Sequence, residues 1–141
     1  MFDPYLYVGS AHPDWVIRFD DLHGIPEVMC WRRRVILIEK NHSKAERRCH
    51  LTHALAHIEL EHRGDEFDTK EEESADRWAA RQLIDLNDLT AALQWNGWHV
   101  TEALAHELRV DRRILGARLR TLHPSERAHL VAVRAELEHA A

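Results

Sequence analysis

An α+β fold is what this sequence predicts: a small antiparallel sheet, a pair of helices packed on it, and a helical C-terminal part. Three observations carry that expectation. Apolar, β-branched runs cluster near the start, where Trp15-Val16-Ile17-Arg18-Phe19, Val28-Met29-Cys30-Trp31 and Val35-Ile36-Leu37-Ile38 read as short strands. From Ser43 onward the apolar residues recur at helical spacing, with Leu51, Leu55 and Ile58 in one stripe. Capping signals open the helical stretches: Ser43 with Glu46 three positions on, Thr69 ahead of Lys70, and Pro124-Ser125-Glu126.

Taken in order, residues 1–14 hold Pro4, Gly9 and Pro13 and read as an irregular lead-in. The run 15–19 reads as a short strand or the end of a helix turn, broken by Asp20-Asp21-Leu22-His23-Gly24-Ile25-Pro26. Arg32-Arg33-Arg34 separates the next two apolar runs and suits the solvated end of a hairpin better than a nucleic-acid patch. A first helix is expected from Ser43 to about His62, stopped by Gly64, followed by a loop over 64–69. A second runs from Lys70 to about Leu86, with Trp78, Ala79, Leu83 and Leu86 inward. Shorter helices follow over Leu89–Trp95, Val100–Leu108 and Asp111–Leu122, and Pro124–Ala140 makes a terminal helix. No linker composition interrupts the chain, so 1–141 reads as one domain: a sheet region over 1–40, a helix pair over 43–86 and a helical tail over 87–141.

The bulk numbers exclude several function classes. With 45% hydrophobic and 30% charged residues, the 141-residue chain is ordinary for a globular domain. A formal charge of −5 argues against attachment to nucleic acid by bulk electrostatics. Cys30 and Cys49 are too few for a disulfide framework and suit a reducing cytoplasm. Met1 to Ser10 lacks the basic and apolar regions of a secretory signal. No apolar run approaches the roughly 18 residues of a membrane span. A cytoplasmic protein without a membrane partner is expected.

Histidine is the compositional anomaly: of twelve, five lie between His42 and His62. His53 and His57 stand one helical turn apart on one face, the spacing at which two imidazoles can hold a single zinc ion. His50 falls on the adjoining face. A third ligand can return on the second helix, and Glu72 is the choice, because Asp76 four residues on shares its face. There Asp76 is placed to accept the other ring N–H of a ligand histidine and fix its tautomer. Glu73, about 100° round the helix, is the near alternative, and Glu61 a weaker one. The H-E-x-x-H pattern of zinc peptidases demands glutamate after the first histidine, yet here the residue is Ala54.

These residues carry a resemblance. Val35 to Ala80 is similar to the ImmA/IrrE family of zinc metallopeptidase-like proteins. Its apolar strand, R-R-x-x-x-x-H-E-x-x-H-x-x-L-x-H and E-x-x-A-[DN]-x-[FW]-A-A match Val35–Ile38, then Arg47, Arg48, His53, His57, Leu60 and His62, then Glu72, Ala75, Asp76, Trp78, Ala79 and Ala80. The resemblance implies a cytoplasmic zinc (Zn²⁺) endopeptidase that cuts a regulatory protein, often a helix-turn-helix repressor of a mobile element or phage. Position by position, it makes His53, His57 and Glu72 the metal ligands and Ala54 the place of the missing general base. Alanine can neither take a proton from water nor return it to a leaving amine, a service worth about 10²–10⁴-fold. Three accounts of Ala54 stay open: a pseudoenzyme retaining the fold for binding, an engineered Glu→Ala trap, or another group acting as base, with His50 as candidate.

Two further expectations concern partners. If Val35–Ile38 is an edge strand, an extended peptide could pair with it and cross the metal. The stretch Val100 to Leu122, with Arg112, Arg113, Arg118 and Arg120, resembles a helix-turn-helix that could enter a major groove. Interleaved Glu102, Glu107 and Asp111 favour the plainer reading, helices that cover the core. Trp78, Trp95 and Trp98 are expected as buried aromatics rather than the lining of a peptide groove.

Overall fold

The computed structural model describes residues 1–64 and 66–140; Asp65, in the expected loop after the first helix pair member, and the terminal Ala141 lie outside the described residues. Its elements run α1 (Pro4–Ala11), β1 (Val16–Asp20), β2 (Glu27–Cys30), β3 (Val35–Glu39), α2 (Lys44–Glu59), α3 (Thr69–Leu83), α4 (Leu86–Trp95), α5 (Glu102–Glu107), α6 (Arg112–Arg120) and α7 (Pro124–Ala140). The α+β class and the helical C-terminal part are as the sequence predicts.

The sheet differs from expectation in its pairing. Strand order is β1-β3-β2, with β3 antiparallel to β2 and parallel to β1, so the sheet is mixed rather than antiparallel. The reason lies in composition: Val35-Ile36-Leu37-Ile38 is apolar on both faces, which suits a central strand, and the loop after β1 lets β2 land on the far side of it. Ile36 and Ile38 are fully buried. Consequently Val35–Ile38 offers no edge for an incoming peptide, and the open edges belong to β1 and β2. Glu39 fastens the long loop, its carboxylate accepting the amides of Gly24 at 2.8 Å and of Leu22 and Asn41 at 3.2 Å. Gly24 sits at φ +87°, where side chains are disfavoured.

Residues 4–11 form a helix where an irregular lead-in is expected. Pro4 occupies the first helical position, where its missing N–H costs nothing. Asp3 caps the end, accepting the amides of Tyr5 at 2.9 Å and Leu6 at 3.3 Å.

Helix α2 is the spine. Every residue from Cys49 to His57 is buried, because the helix is covered on both sides. Leu51, Ala54 and Leu55 join Ile36, Ile38 and Val8 beneath the sheet. Cys49 joins the second core, built from Ala79, Leu83, Leu89, Leu104, Ile114 and Leu115 of the helical part. Ser43 and Glu46 make the expected capping box. The helix stops at Glu59, earlier than Gly64 suggests, because Glu61 itself takes the left-handed turn at φ 58°. Asp68 rather than Thr69 caps α3, reciprocally with Glu71.

The tail is tied down by a buried ion pair. Arg118, 2% exposed, donates to Glu126 Oε2 at 2.5 Å and to the Ile84 carbonyl at 2.7 Å. Arg81 donates to Glu126 Oε1 at 2.9 Å. These contacts hold the Glu126 carboxyl well below the usual carboxylate range. Of the three tryptophans expected inside, Trp78 packs edge-on to Phe2 and Trp98 is half-buried, but Trp95 is 81% exposed. Among the described residues no helix is long and apolar enough to cross a membrane.

Candidate metal centre

Three donor atoms converge where α2 and α3 cross. His53 Nε2 lies 3.1 Å from His57 Nε2 and 3.0 Å from Glu72 Oε2, and His57 Nε2 lies 3.2 Å from Glu72 Oε1. The i, i+4 spacing on α2 brings the two rings together, tilted by 81° with centroids 4.8 Å apart. Glu72 arrives because α3 begins with acidic residues and packs along α2. Tetrahedral ligands at 2.0–2.1 Å from a common ion stand about 3.3 Å apart, so the observed triangle is the size a small divalent cation requires.

The backing groups are also in place. Asp76 Oδ1 lies 2.8 Å from His53 Nδ1, at ion-pair distance but off the line of a hydrogen bond, so both atoms remain without a well-directed partner. The left-handed turn at Glu61 folds His62 back, and its Nδ1 stands 3.0 Å from His57 Nδ1. Phe67 stacks on the His57 ring at 3.7 Å and 7°. From α6, Arg113 donates to Asp76 Oδ2 at 2.9 Å and to Glu72 Oε2 at 3.3 Å.

Electrostatics divide the two histidines. Burial works against a charged His53, but the Asp76, Glu72 and Glu27 carboxylates outweigh it and raise it to about 9. Burial and the neighbouring His53 push His57 down to about 4. The hydrogen bond from His53 draws Glu72 down to about 2. Three donor atoms thus face one point. The donor set fits a metal: two neutral-capable imidazoles and a carboxylate, each positioned from behind.

Other expected positions fall elsewhere. Glu73 is exposed and lines a pocket with Arg77 and Arg120, and Glu61 lines a groove with Trp15 and Arg63. His50 is buried, but its Nε2 meets His42 Nδ1 at 2.9 Å and its Nδ1 faces Glu27 Oε2 at 3.8 Å. His42, Glu46 and His50 form a second gathering of three donors, less buried than the first. Ala54 is fully buried in the apolar layer against the sheet.

Four contributors lie outside the residues that the sequence singles out for the centre: Glu27, Arg113, His62 as the partner of His57, and Phe67. Glu27 is the most consequential. It stands on β2 with its Oε1 3.8 Å from His53 Nε2, and desolvation pushes it up to about 7. An acid two residues before the inward-facing Met29 is the available signal, since strand alternation puts both on one face.

A comparison with protein families matches residues 12–120 to the IrrE N-terminal-like domain, the M78 peptidases. The chain belongs to that family. The match runs from just before β1 through α6, so the M78 domain includes the sheet, both histidine-bearing turns and the arginine that grips Glu72. It supports a metallopeptidase-like domain whose family is typically metal-dependent. Neither the comparison with curated proteins nor that with solved structures finds a match.

Proposed function

We propose that this M78 domain holds zinc through His53 Nε2, His57 Nε2 and Glu72, and engages a regulatory protein as an extended segment. A helix-turn-helix repressor of a mobile element is the partner class that the resemblance favours. The observation that carries the reading is the triangle of donors with edges of 3.0–3.2 Å and a backing group behind each ring. When bound, zinc would supply Lewis-acid polarisation of a peptide carbonyl and a water activated near neutral pH.

This chain's residues supply the rest. Asp76, steadied by Arg113, holds His53 with Nε2 toward the centre; His62 and Phe67 do the same for His57. A cleft of about 230 Å³ beside the centre is lined by Val28, Met29, His57, Phe67 and Glu72. The open edge of β2 borders it, so an extended peptide pairing along β2 would pass the metal. Ala54 moves no proton, so the motif position alone leaves hydrolysis short by about 10²–10⁴-fold. Free Cys30 and Cys49 suit a cytoplasmic setting.

A second reading, a non-catalytic regulator built on the same fold, is favoured by alanine at position 54, which has no group to carry a proton. Its DNA-binding form is not favoured, because Arg113 and Arg118 are spent on Glu72, Asp76 and Glu126. Incubating the zinc-loaded chain with a proteome-derived peptide library separates the two. Cleavage abolished by His57→Ala supports the peptidase. Zinc uptake with no cleavage moves the assignment to the regulator.

A further inference from the structure

We propose that Glu27 supplies, from strand β2, the proton-carrying carboxylate that position 54 lacks. The inference rests on the reading of His53, His57 and Glu72 as ligands in a peptidase.

The strand dictates where Glu27 points. It pairs with Ile38, as Met29 pairs with Ile36, and both isoleucines are fully buried. Met29 accordingly packs into the apolar layer between the sheet and α2. Glu27 brings a carboxylate to that same face, with its side chain 16% exposed. Its nearest basic neighbours, His50 Nδ1 and His53 Nε2, stand at 3.8 Å, beyond hydrogen-bonding distance. The carboxylate is thus half-buried, held only by two long ion-pair contacts and left without a direct hydrogen bond to either imidazole.

Its position separates two roles. A fourth tetrahedral ligand would stand about 3.3 Å from all three donors. Glu27 approaches His53, no ion-pair contact within 4.0 Å joins it to His57 among the described residues, and it falls outside the group of His53, His57 and Glu72 atoms that lie within 4.8 Å of one another. It is therefore offset from the fourth vertex, toward the corner where an attacking water would be flanked. The helix gives the link with Ala54. Residue 54 lies one turn on from His50, and a longer side chain there would lean back toward that turn, the turn Glu27 faces. The carboxylate has changed its point of attachment while serving the same corner.

In the step assigned to it, Glu27 accepts a proton from water as the water oxygen bonds to the peptide carbonyl carbon. It returns that proton to the amide nitrogen as the C–N bond breaks. One water is consumed, and Glu27 ends as it began.

The test uses the full zinc-loaded chain and the isosteric Glu27→Gln variant, with Glu27→Asp as a second. Zinc content per chain should not change, and the thermal midpoint should stay close to that of the wild type, since only two long ion-pair contacts are lost. Binding of a peptide hydroxamate, whose hydroxyl proton needs a nearby carboxylate, should weaken about 10–100-fold, the worth of one charged hydrogen bond. Hydrolysis of the peptide library should fall about 10²-fold or more. Glu27→Asp should retain part of both. Loss of zinc in Glu27→Gln would make Glu27 a ligand and overturn the proposal. So would unchanged hydroxamate binding and hydrolysis, or a zinc-loaded wild type that cleaves nothing. Failure of the wild type to take up zinc would instead remove the underlying metal reading, and this proposal with it.

Discussion

Restoring the motif glutamate by Ala54→Glu should destabilise the protein, because the structure has closed the space a side chain would need. Ala54 is fully buried between Leu51, Leu55, Ile36 and Ile38. Forcing extra methylenes into such a layer costs about 1–3 kcal/mol. The new carboxylate would lean toward the His50 turn and meet Glu27. Two like charges about 4–5 Å apart at an effective dielectric near 20 repel by about 3–4 kcal/mol. A loss of about 4–7 kcal/mol would consume much of the roughly 7–20 kcal/mol that a chain of this length holds. Thermal unfolding of the metal-free protein at about pH 9, above the raised value of Glu27, followed by circular dichroism, should show a midpoint lowered by roughly 10–20 °C. The double variant Ala54→Glu/Glu27→Ala relieves the repulsion and should recover about half of that loss. An Ala54→Glu midpoint within about 2 °C of wild type would refute the packing argument, and a double variant no better than the single would refute the shared corner.

Three other outcomes follow from the same contacts. Glu126→Ala strips Arg118 of its buried partner and should cost about 3–5 kcal/mol at pH 7 by urea unfolding. Because the folded Glu126 carboxyl is held below its unfolded value of about 4.3, that difference should be complete above the unfolded value and shrink as pH falls toward the folded one. Arg113→Met releases Glu72 and Asp76 and should weaken zinc binding about 10–100-fold without unfolding the chain, measured by chelator competition. His62→Ala removes the partner of His57 Nδ1 and should weaken the same affinity about tenfold or more.

How much of this was legible beforehand depends on which residues carried a local pattern. The capping box at Ser43 and Glu46, the apolar strands and the helix-spaced His53 and His57 are written in short windows, and they fold as read. Glu72 and Asp76 share a face at i, i+4, so their approach to one end of α2 was also readable. What escaped depended on contacts between distant segments. Whether Val35–Ile38 lies at an edge or in the middle is decided by where β2 lands, which no spacing records. Arg113 looked like one of several tail arginines until α6 was packed along α3. Glu27 stands just outside the run Val28 to Trp31 that reads as a strand, so its inward face was hidden by a boundary shift of one residue. The helix of 4–11 is hidden in the sequence because Pro4 reads as a breaker when, after Asp3, it is a starter.

Elemental analysis of the purified chain is the most direct test of the central claim, run beside His53→Ala and His50→Ala. The account predicts about one zinc per chain, absent in His53→Ala and retained in His50→Ala, which assigns the ion to the His53, His57 and Glu72 triangle rather than to His42, Glu46 and His50. Metal retained in His53→Ala, or none in any of the three proteins, would contradict it.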